Sequence, residues 1–253
     1  MNGLDWSILW PACLAGLLIT AIHVPLGVQV LKRGIVFIDL AIAQIAGVGV
    51  VVGHFLGFES GWAVQAFALA AALGGALLLT WSDKRAPDVQ EAIIGVSFVL
   101  AACVTLLLLA QNPQGGEHLR ELLVGQILWA TPDQLAFVGA VYGLLLVAIA
   151  VRPQCLQFRQ TFYLLFAIVV TLSVQLIGIY LVFASLVVPA LATRRLRKRR
   201  LVIAYGVSLL GYGTGIVLSA AVDLPTGPLV VCTMIFVAIL TSATTRPFGH
   251  PAC

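Results

Sequence analysis

The sequence predicts an all-α membrane protein whose helices cross the bilayer many times. Of its 253 residues, 61% are hydrophobic and only 9% are charged, whereas a soluble domain has about 25% charged residues. Apolar stretches of roughly 20 residues, the length that spans the hydrocarbon core as a helix, follow one another with short polar breaks. This composition excludes an ordinary soluble domain or a nucleic-acid-binding protein, so we expect one transmembrane domain over residues 1–253 within a lipid bilayer.

Seven of the apolar stretches have the length of a single crossing. They cover residues 6–31, 35–57, 61–81, 91–111, 132–151, 201–222 and 228–245. The remaining stretch, 161–193, would be about 50 Å long as one helix, which is too long for one crossing and short for two. It forms either two short helices that turn near residues 175–178, or one crossing and a helix at the membrane surface.

The basic residues distinguish these two arrangements. The chain has fourteen lysine and arginine residues, and cytoplasmic loops of membrane proteins are enriched in both. If 161–193 crosses twice, an outer N-terminus places every basic residue except Arg120 on the cytoplasmic side. If it crosses once, and the basic run 194–200 stays inside, six basic residues lie outside. We therefore expect nine transmembrane helices, with the N-terminus outside and the C-terminus cytoplasmic.

No sequence motif indicates an enzyme. We find no Walker sequence, nucleophile elbow, HExxH motif or glycine-rich phosphate loop. The five cysteines are scattered and form no CxxC pair, so neither a zinc site nor a redox pair is indicated. We expect no catalytic activity and no cofactor, and the energy for any active transport has to come from a partner or an ion gradient.

Three ionisable residues stand out inside the predicted spans, where such residues are costly and often functional: Asp39, His23 and His54, of which His54 lies about 22 Å beyond Asp39 along the same helix and cannot share a site with it. Asp39 lies six residues after Arg33, about 9 Å along the second span, and His23 lies ten residues before Arg33, about 15 Å from the same surface. Antiparallel neighbouring helices bring them to similar depth, and a carboxylate with an imidazole suits Zn²⁺ or Mn²⁺. The alternative is structural: Asp39 caps the second span and His23 relieves a kink at Pro25.

Five short motifs, in order along nearly the whole chain, resemble the ABC-3 permeases, the membrane subunits of bacterial zinc, manganese and iron ABC importers. The first runs from Leu31 through the basic pair Lys32-Arg33 to Asp39 and is followed by Gly47. The other four are Glu91-Ala-Ile-Ile-Gly95, Leu123-Val-Gly-Gln-Ile-Leu128, the stretch from Gly178 through Pro189 to Ala190, and Asp223-Leu-Pro-Thr-Gly227.

The resemblance implies a permease subunit for a divalent transition metal, zinc or manganese, in the bacterial inner membrane. It also implies a set of partners. A second copy of the chain would form the translocation path at the dimer interface. ATP-binding cassette subunits would bind on the cytoplasmic side, and a periplasmic or extracellular metal-binding protein would bind on the outer side.

The chain departs from the family at the position four residues after the aspartate. Family members have a histidine there, one helical turn on, and this chain has Ala43. Gln44 follows but points about 100° away from that position on a helix. We therefore expect Asp39, His23 and Gln44 to line the metal pathway, with helix packing as the alternative role of the glutamine.

A second departure concerns the cytoplasmic connection 152–160, which is shorter than the family's loop at that place. That loop is expected to dock the ATPase, so the docking contact is either abbreviated or shifted towards the basic run 194–200. The candidate docking residues are Arg152, Arg159, Arg194, Arg195 and Arg197. Anchoring to anionic lipid is the alternative role of the basic run.

Two other classes of function compete with the importer subunit. The first is a proton-coupled secondary metal carrier or a channel, which would use Asp39 and His23 and need no ATPase. The second is an intramembrane enzyme, which is disfavoured because the sequence shows no clustered histidine, glutamate and serine set.

Overall fold

The computed structural model describes residues 6–58, 61–109, 123–125, 127–196 and 198–244, and within these ranges the chain is helical and contains no strand. The α-helices are α1 (Trp6–Arg33), α2 (Ile38–Phe55), α3 (Gly61–Arg85), α4 (Gln90–Leu109), α5 (Pro132–Val151), α6 (Arg159–Ala192), α7 (Arg200–Val222) and α8 (Thr226–Thr244). Each of these eight is long and apolar enough to cross a membrane. The prediction of an all-α polytopic membrane protein is confirmed.

The bounds of α5 coincide with the predicted span 132–151, and local chemistry explains where it begins. The Thr131 hydroxyl accepts a hydrogen bond from the Gln134 N–H at 3.3 Å, and the Gln134 side chain accepts one from the Thr131 N–H at 3.2 Å. Pro132 occupies the first turn, where its missing N–H costs nothing. This capping box marks the helix start in the sequence itself.

Glycines allow two helix hairpins to pack closely. A Cβ on Gly49 of α2 would lie 2.9 Å from the Cα of Ala68 on α3, and one on Gly211 of α7 would lie 2.8 Å from the Cα of Met234 on α8. Helices in lipid associate through such close van der Waals contact, because lipid tails are as apolar as the side chains. The pairs α2–α3 and α7–α8 are therefore tightly joined.

Helix α6 breaks at Gly178, inside the predicted turn region 175–178. Its backbone has φ 76° and ψ 164°, a conformation that is almost confined to glycine. A Cβ there would also lie 2.5 Å from the carbonyl carbon of Val124. Gly178 is therefore required both by its own backbone conformation and by the chain segment packed on it.

The two parts of α6 fold back on each other. Ser173 and Ser185, on opposite sides of the break, hydrogen-bond to the two ring nitrogens of one residue, His23 of α1. In an unbroken helix these serines would be about 18 Å apart along the axis, too far for one imidazole to bridge. We name the two parts the first arm (159–177) and the second arm (179–192).

The arms of α6 form the centre of the molecule. In the apolar 18-residue stretch of α6, 83% of the residues are buried, whereas in the corresponding stretch of α5 only 17% are buried. The core therefore surrounds α6, while α5 presents most of its surface outward. A turn in 161–193 is the arrangement that gave nine crossings, but the number of crossings and the sidedness of the termini remain predictions.

Candidate functional site

Asp39 lies in the first turn of α2 and is only 1% exposed. Within the described residues, neither of its carboxylate oxygens has a hydrogen-bond partner. The nearby backbone N–H groups of Asp39 and Leu40 exert a favourable electrostatic effect, as expected where a helix dipole is positive. A buried carboxylate is expensive unless it is well compensated, so Asp39 is a candidate for a functional role in addition to its interaction with the N–H groups at the start of α2.

A second carboxylate, Glu91, lies in the first turn of α4, close to the turn that precedes Asp39. The backbone N–H of Phe37 donates to its Oε1 at 3.3 Å, while its Oε2 is buried and has no partner in the part of the chain that the structure describes. Helix α4 packs on α2, and the Phe37 N–H that donates to Glu91 lies only two residues before Asp39, so the two carboxyl groups are neighbours at the starts of these helices. We call Asp39 and Glu91 the acidic pair.

The acidic pair can bind a cation. Across the described ranges, three of its four carboxylate oxygens are buried without a partner. Like charges buried together are unfavourable unless a proton or a positive ion lies between them. Carboxylate oxygens are ligands that divalent ions such as Mn²⁺ accept readily. The described residues contain no group of three or more histidine, cysteine, aspartate or glutamate side chains that could hold a metal ion, so the pair is an incomplete coordination set.

Glu91 begins one of the five sequence motifs, but no role in a metal site was predicted for it. The signal that could have found it is positional. Asp39 and Glu91 both lie in the first turn of a helix that follows a cytoplasmic connection, so the predicted topology places them at similar depth. Nothing in the sequence shows that α2 and α4 pack together, as they do here.

His23 lies in a different polar environment. Its side chain is fully buried, with Nδ1 2.6 Å from the Ser185 hydroxyl and Nε2 2.8 Å from the Ser173 hydroxyl. The Tyr142 hydroxyl of α5 lies 2.6 Å from the Ser173 hydroxyl. We call His23, Tyr142, Ser173 and Ser185 the His23 cluster, which joins α1, α5 and both arms of α6.

Each polar atom of the His23 cluster can be satisfied with a neutral imidazole. One nitrogen donates to a serine hydroxyl and the other accepts from the second serine, in either tautomer. The serine that accepts a hydrogen bond from the ring donates its own hydroxyl hydrogen to a backbone carbonyl. For Ser185 this is the Val182 carbonyl at 3.0 Å, and for Ser173 the Val169 carbonyl at 2.8 Å. The hydrogen bonds of these four side chains can therefore all be formed without an ion.

The structure does not bring the predicted pathway residues together. His23 bonds to the serines of α6, and Asp39 lies near Glu91. Gln44 is 7% exposed and lies five residues after Asp39, about 140° around the same helix. Ala43, one turn after Asp39, is also buried. Pathway roles for His23 and Gln44 stay predictions.

The candidate docking arginines lie where the sequence suggested, in short connections at helix ends. Arg159 begins α6 and pairs with Asp83 at the end of α3, with Nη1 3.3 Å from Oδ2. Arg152 follows α5, and Arg194 and Arg195 follow α6; all three are exposed. Arg197 lies outside the described residues. The structure contains no partner chain against which docking is seen, so this role too remains a prediction.

Comparison with known proteins shows the family. Residues 5–160 and 151–245 match the sequence profile of the ABC 3 transport family. This chain belongs to the ABC 3 transport family. The resemblance drawn from five motifs is confirmed, and with it the multi-pass membrane location.

Named relatives match over nearly the full chain. The high-affinity zinc uptake system membrane protein ZnuB of Haemophilus influenzae is 24% identical over 261 residues, covering 93% of this chain and 97% of that protein. A probable metal transport system membrane protein of Chlamydia trachomatis is 23% identical over 250 residues, covering 90% of this chain and 85% of its own. Each match therefore covers most of both proteins.

A solved structure shares the fold. A chain of PsaBC from Streptococcus pneumoniae, determined in complex with a Fab, superposes with a TM-score of 0.76 at 16% sequence identity. The match covers 94% of this chain and 91% of that one. At this identity the likeness establishes a common helical architecture and leaves the roles of individual side chains to be argued from this structure.

Proposed function

We propose that this family member is the permease subunit of an ABC importer for divalent transition-metal ions in the bacterial cell membrane. The observation that carries the proposal is the acidic pair, since buried carboxylates that lie near each other need a cation or a proton. The relatives named for zinc uptake and metal transport support the same substrate class.

We propose zinc or manganese as the cargo, and the donor set favours manganese. Asp39 and Glu91 supply only oxygen, which suits Mn²⁺, whereas imidazole nitrogen suits Zn²⁺. The family's histidine position is Ala43 here, and the His23 ring is engaged by serines. A second copy of the chain would complete the coordination set across a shared path.

In this proposal, separate ATP-binding cassette subunits supply the energy, and a metal-binding protein delivers the ion from outside. The connection 152–160 and the exposed arginines beside it would form the ATPase contact, because they lie at helix ends on the predicted cytoplasmic side. The permease supplies the path and the ion-binding carboxylates.

The experiment that tests the function is transport in vesicles. The chain purified with its ATPase and binding-protein partners should take up Mn²⁺ or Zn²⁺ only when ATP is present. ATP turnover should rise when the loaded binding protein is added. The competing carrier function predicts uptake by the chain alone under a pH gradient, without ATP. If the chain alone takes up metal under a pH gradient and ATP drives no uptake, the proposed importer function is wrong.

A further inference from the structure

Arg33, the last residue of α1, is bound to the connection between α5 and α6. Its Nη2 donates to the carbonyl of Leu156 at 2.6 Å and to that of Gln157 at 3.3 Å. Its guanidinium carbon lies 4.4 Å from the centre of the Phe162 ring on the first arm of α6. One side chain therefore joins α1 to the connection and to the helix that follows it.

The connection 152–160 is held on its other side as well. Arg159 forms the ion pair with Asp83 and donates to the Asp83 carbonyl at 2.8 Å. Leu156 is buried, while Phe158 is 66% exposed. The connection is thus fastened at two points to the helix bundle, and it presents an aromatic side chain outward between them.

Arg33 is also close in sequence to the acidic pair. Only the turn 34–37 separates the end of α1 from the start of α2. In that turn the Phe37 N–H donates to Glu91, and the Phe37 ring lies 6.2 Å from the ring of Phe183 on the second arm of α6, with the planes nearly parallel. A displacement of Arg33 therefore acts on a turn that carries one direct bond to the acidic pair.

We propose that Arg33 is a positioning residue that transmits movement of the connection 152–160 to the acidic pair; this rests on the proposed importer function. The contacts run from the connection through the guanidinium and the turn 34–37 to Glu91, and the same turn leads along the backbone into α2 and Asp39. Chains of packed side chains and hydrogen bonds carry coupling between two sites when they can adopt two arrangements, and the Arg33 variants test whether this series does so. Arginine suits the role because its planar group donates to two carbonyls and stacks on a ring at once.

The test compares Arg33→Lys and Arg33→Ala with a matched control, Lys32→Ala. Lys32 is the adjacent basic residue and is exposed, so its removal changes the charge equally. Each variant is purified with its ATPase and binding-protein partners, and ATP turnover, Mn²⁺ uptake and complex assembly are measured in the same vesicle preparation. The decisive quantity is the number of ions taken up per ATP hydrolysed.

We expect both Arg33 variants to lower the ions moved per ATP by about 2- to 30-fold, the range over which single residues alter coupling. Assembly and ATP turnover should stay close to those of the unaltered complex. Lys32→Ala should leave the ratio unchanged. Arg33→Lys keeps the charge and is the milder change, so it provides a result if Arg33→Ala fails to fold.

Three results would overturn the proposal. If the ratio stays unchanged in both variants, Arg33 does not couple the two regions. If uptake and ATP turnover fall together with assembly, as expected for Phe158→Ala at a docking surface, Arg33 only shapes that surface. If the unaltered complex takes up no metal with ATP, the importer function itself fails and the inference falls with it.

Discussion

Two of the buried polar groups in the described part of the bundle, the His23 cluster and the acidic pair, are built in opposite ways. In the His23 cluster, two serine hydroxyls form hydrogen bonds with both nitrogens of a neutral ring. Backbone carbonyls accept the hydrogen bond from the serine hydroxyl that does not donate to the ring. In the acidic pair, two carboxyl groups lie near each other, and three of their oxygens are buried without a hydrogen-bond partner among the described residues. Buried polar groups are normally hydrogen-bonded, so the first group needs no further explanation and the second does.

This difference predicts a structural role for the His23 cluster and a functional one for the acidic pair. The His23 cluster fastens the two arms of α6 to α1 and α5, so its hydrogen bonds contribute to folding stability. We expect the acidic pair to lower the folding stability whenever both groups are ionised and no cation lies between them, because charge is then desolvated without compensation. Such a group is retained when it binds something, and an ionisable residue inside a membrane is by default a functional candidate.

The largest expected effect is that of Asp39→Asn on transport. The amide keeps the shape but removes the negative charge, so Mn²⁺ uptake by the assembled importer should fall by at least the roughly 10- to 100-fold that the loss of a supporting ligand partner costs. The midpoint of thermal unfolding should stay the same or rise, since a buried charge is removed. Unchanged uptake would separate Asp39 from the ion path.

Glu91→Gln should have a smaller effect of the same kind. The amide oxygen of the glutamine can take the place of Oε1 and still accept the hydrogen bond from the Phe37 N–H. We therefore expect Mn²⁺ uptake to fall by only about 10-fold. Asp88→Asn is the control, because this exposed carboxylate precedes the same helix. A loss that Asp88→Asn reproduces would reflect surface charge, and the pairing of Glu91 with Asp39 would then be wrong.

His23→Ala should have its larger effect on folding stability and its smaller effect on transport, the reverse of Asp39→Asn. Loss of the ring leaves two buried serines without their partner, and we expect the free energy of unfolding to fall by about 1–3 kcal/mol. Uptake per folded importer should change less than in Asp39→Asn. Chemical denaturation in detergent measures the first quantity and vesicle transport the second. A transport loss as large as that of Asp39→Asn, with stability intact, would return His23 to the metal pathway.

The smallest effect is expected for Tyr142→Phe. The ring remains packed, but the substitution removes the hydroxyl. The hydrogen bonds of that hydroxyl to Ser173 and to the Val169 carbonyl, the latter at 3.1 Å, are therefore lost. Ser173 keeps His23 and Val169 as partners, so the free energy of unfolding should fall by only about 0.5–1 kcal/mol. The same denaturation measurement checks this value. A fall as large as that of His23→Ala would show that the tyrosine, and not the histidine, holds the cluster together.

Much of the fold was determined by the sequence alone, because hydropathy, helix length and capping are local properties. The span 132–151 has the bounds of α5, the break in 161–193 lies at Gly178, and the five motifs identify the family. Burial of Asp39 was also predictable, since it follows from its distance along an apolar helix.

Which groups meet was decided only by the tertiary structure. His23 reaches serines 150 and 162 residues away, and Asp39 lies near a carboxylate on another helix instead of the histidine proposed beside it. Arg33 binds carbonyls more than a hundred residues along the chain. Depth in the membrane follows from sequence position, but the neighbours at a given depth depend on how the helices rotate and pack, and an apolar surface with weak helical periodicity does not specify that packing.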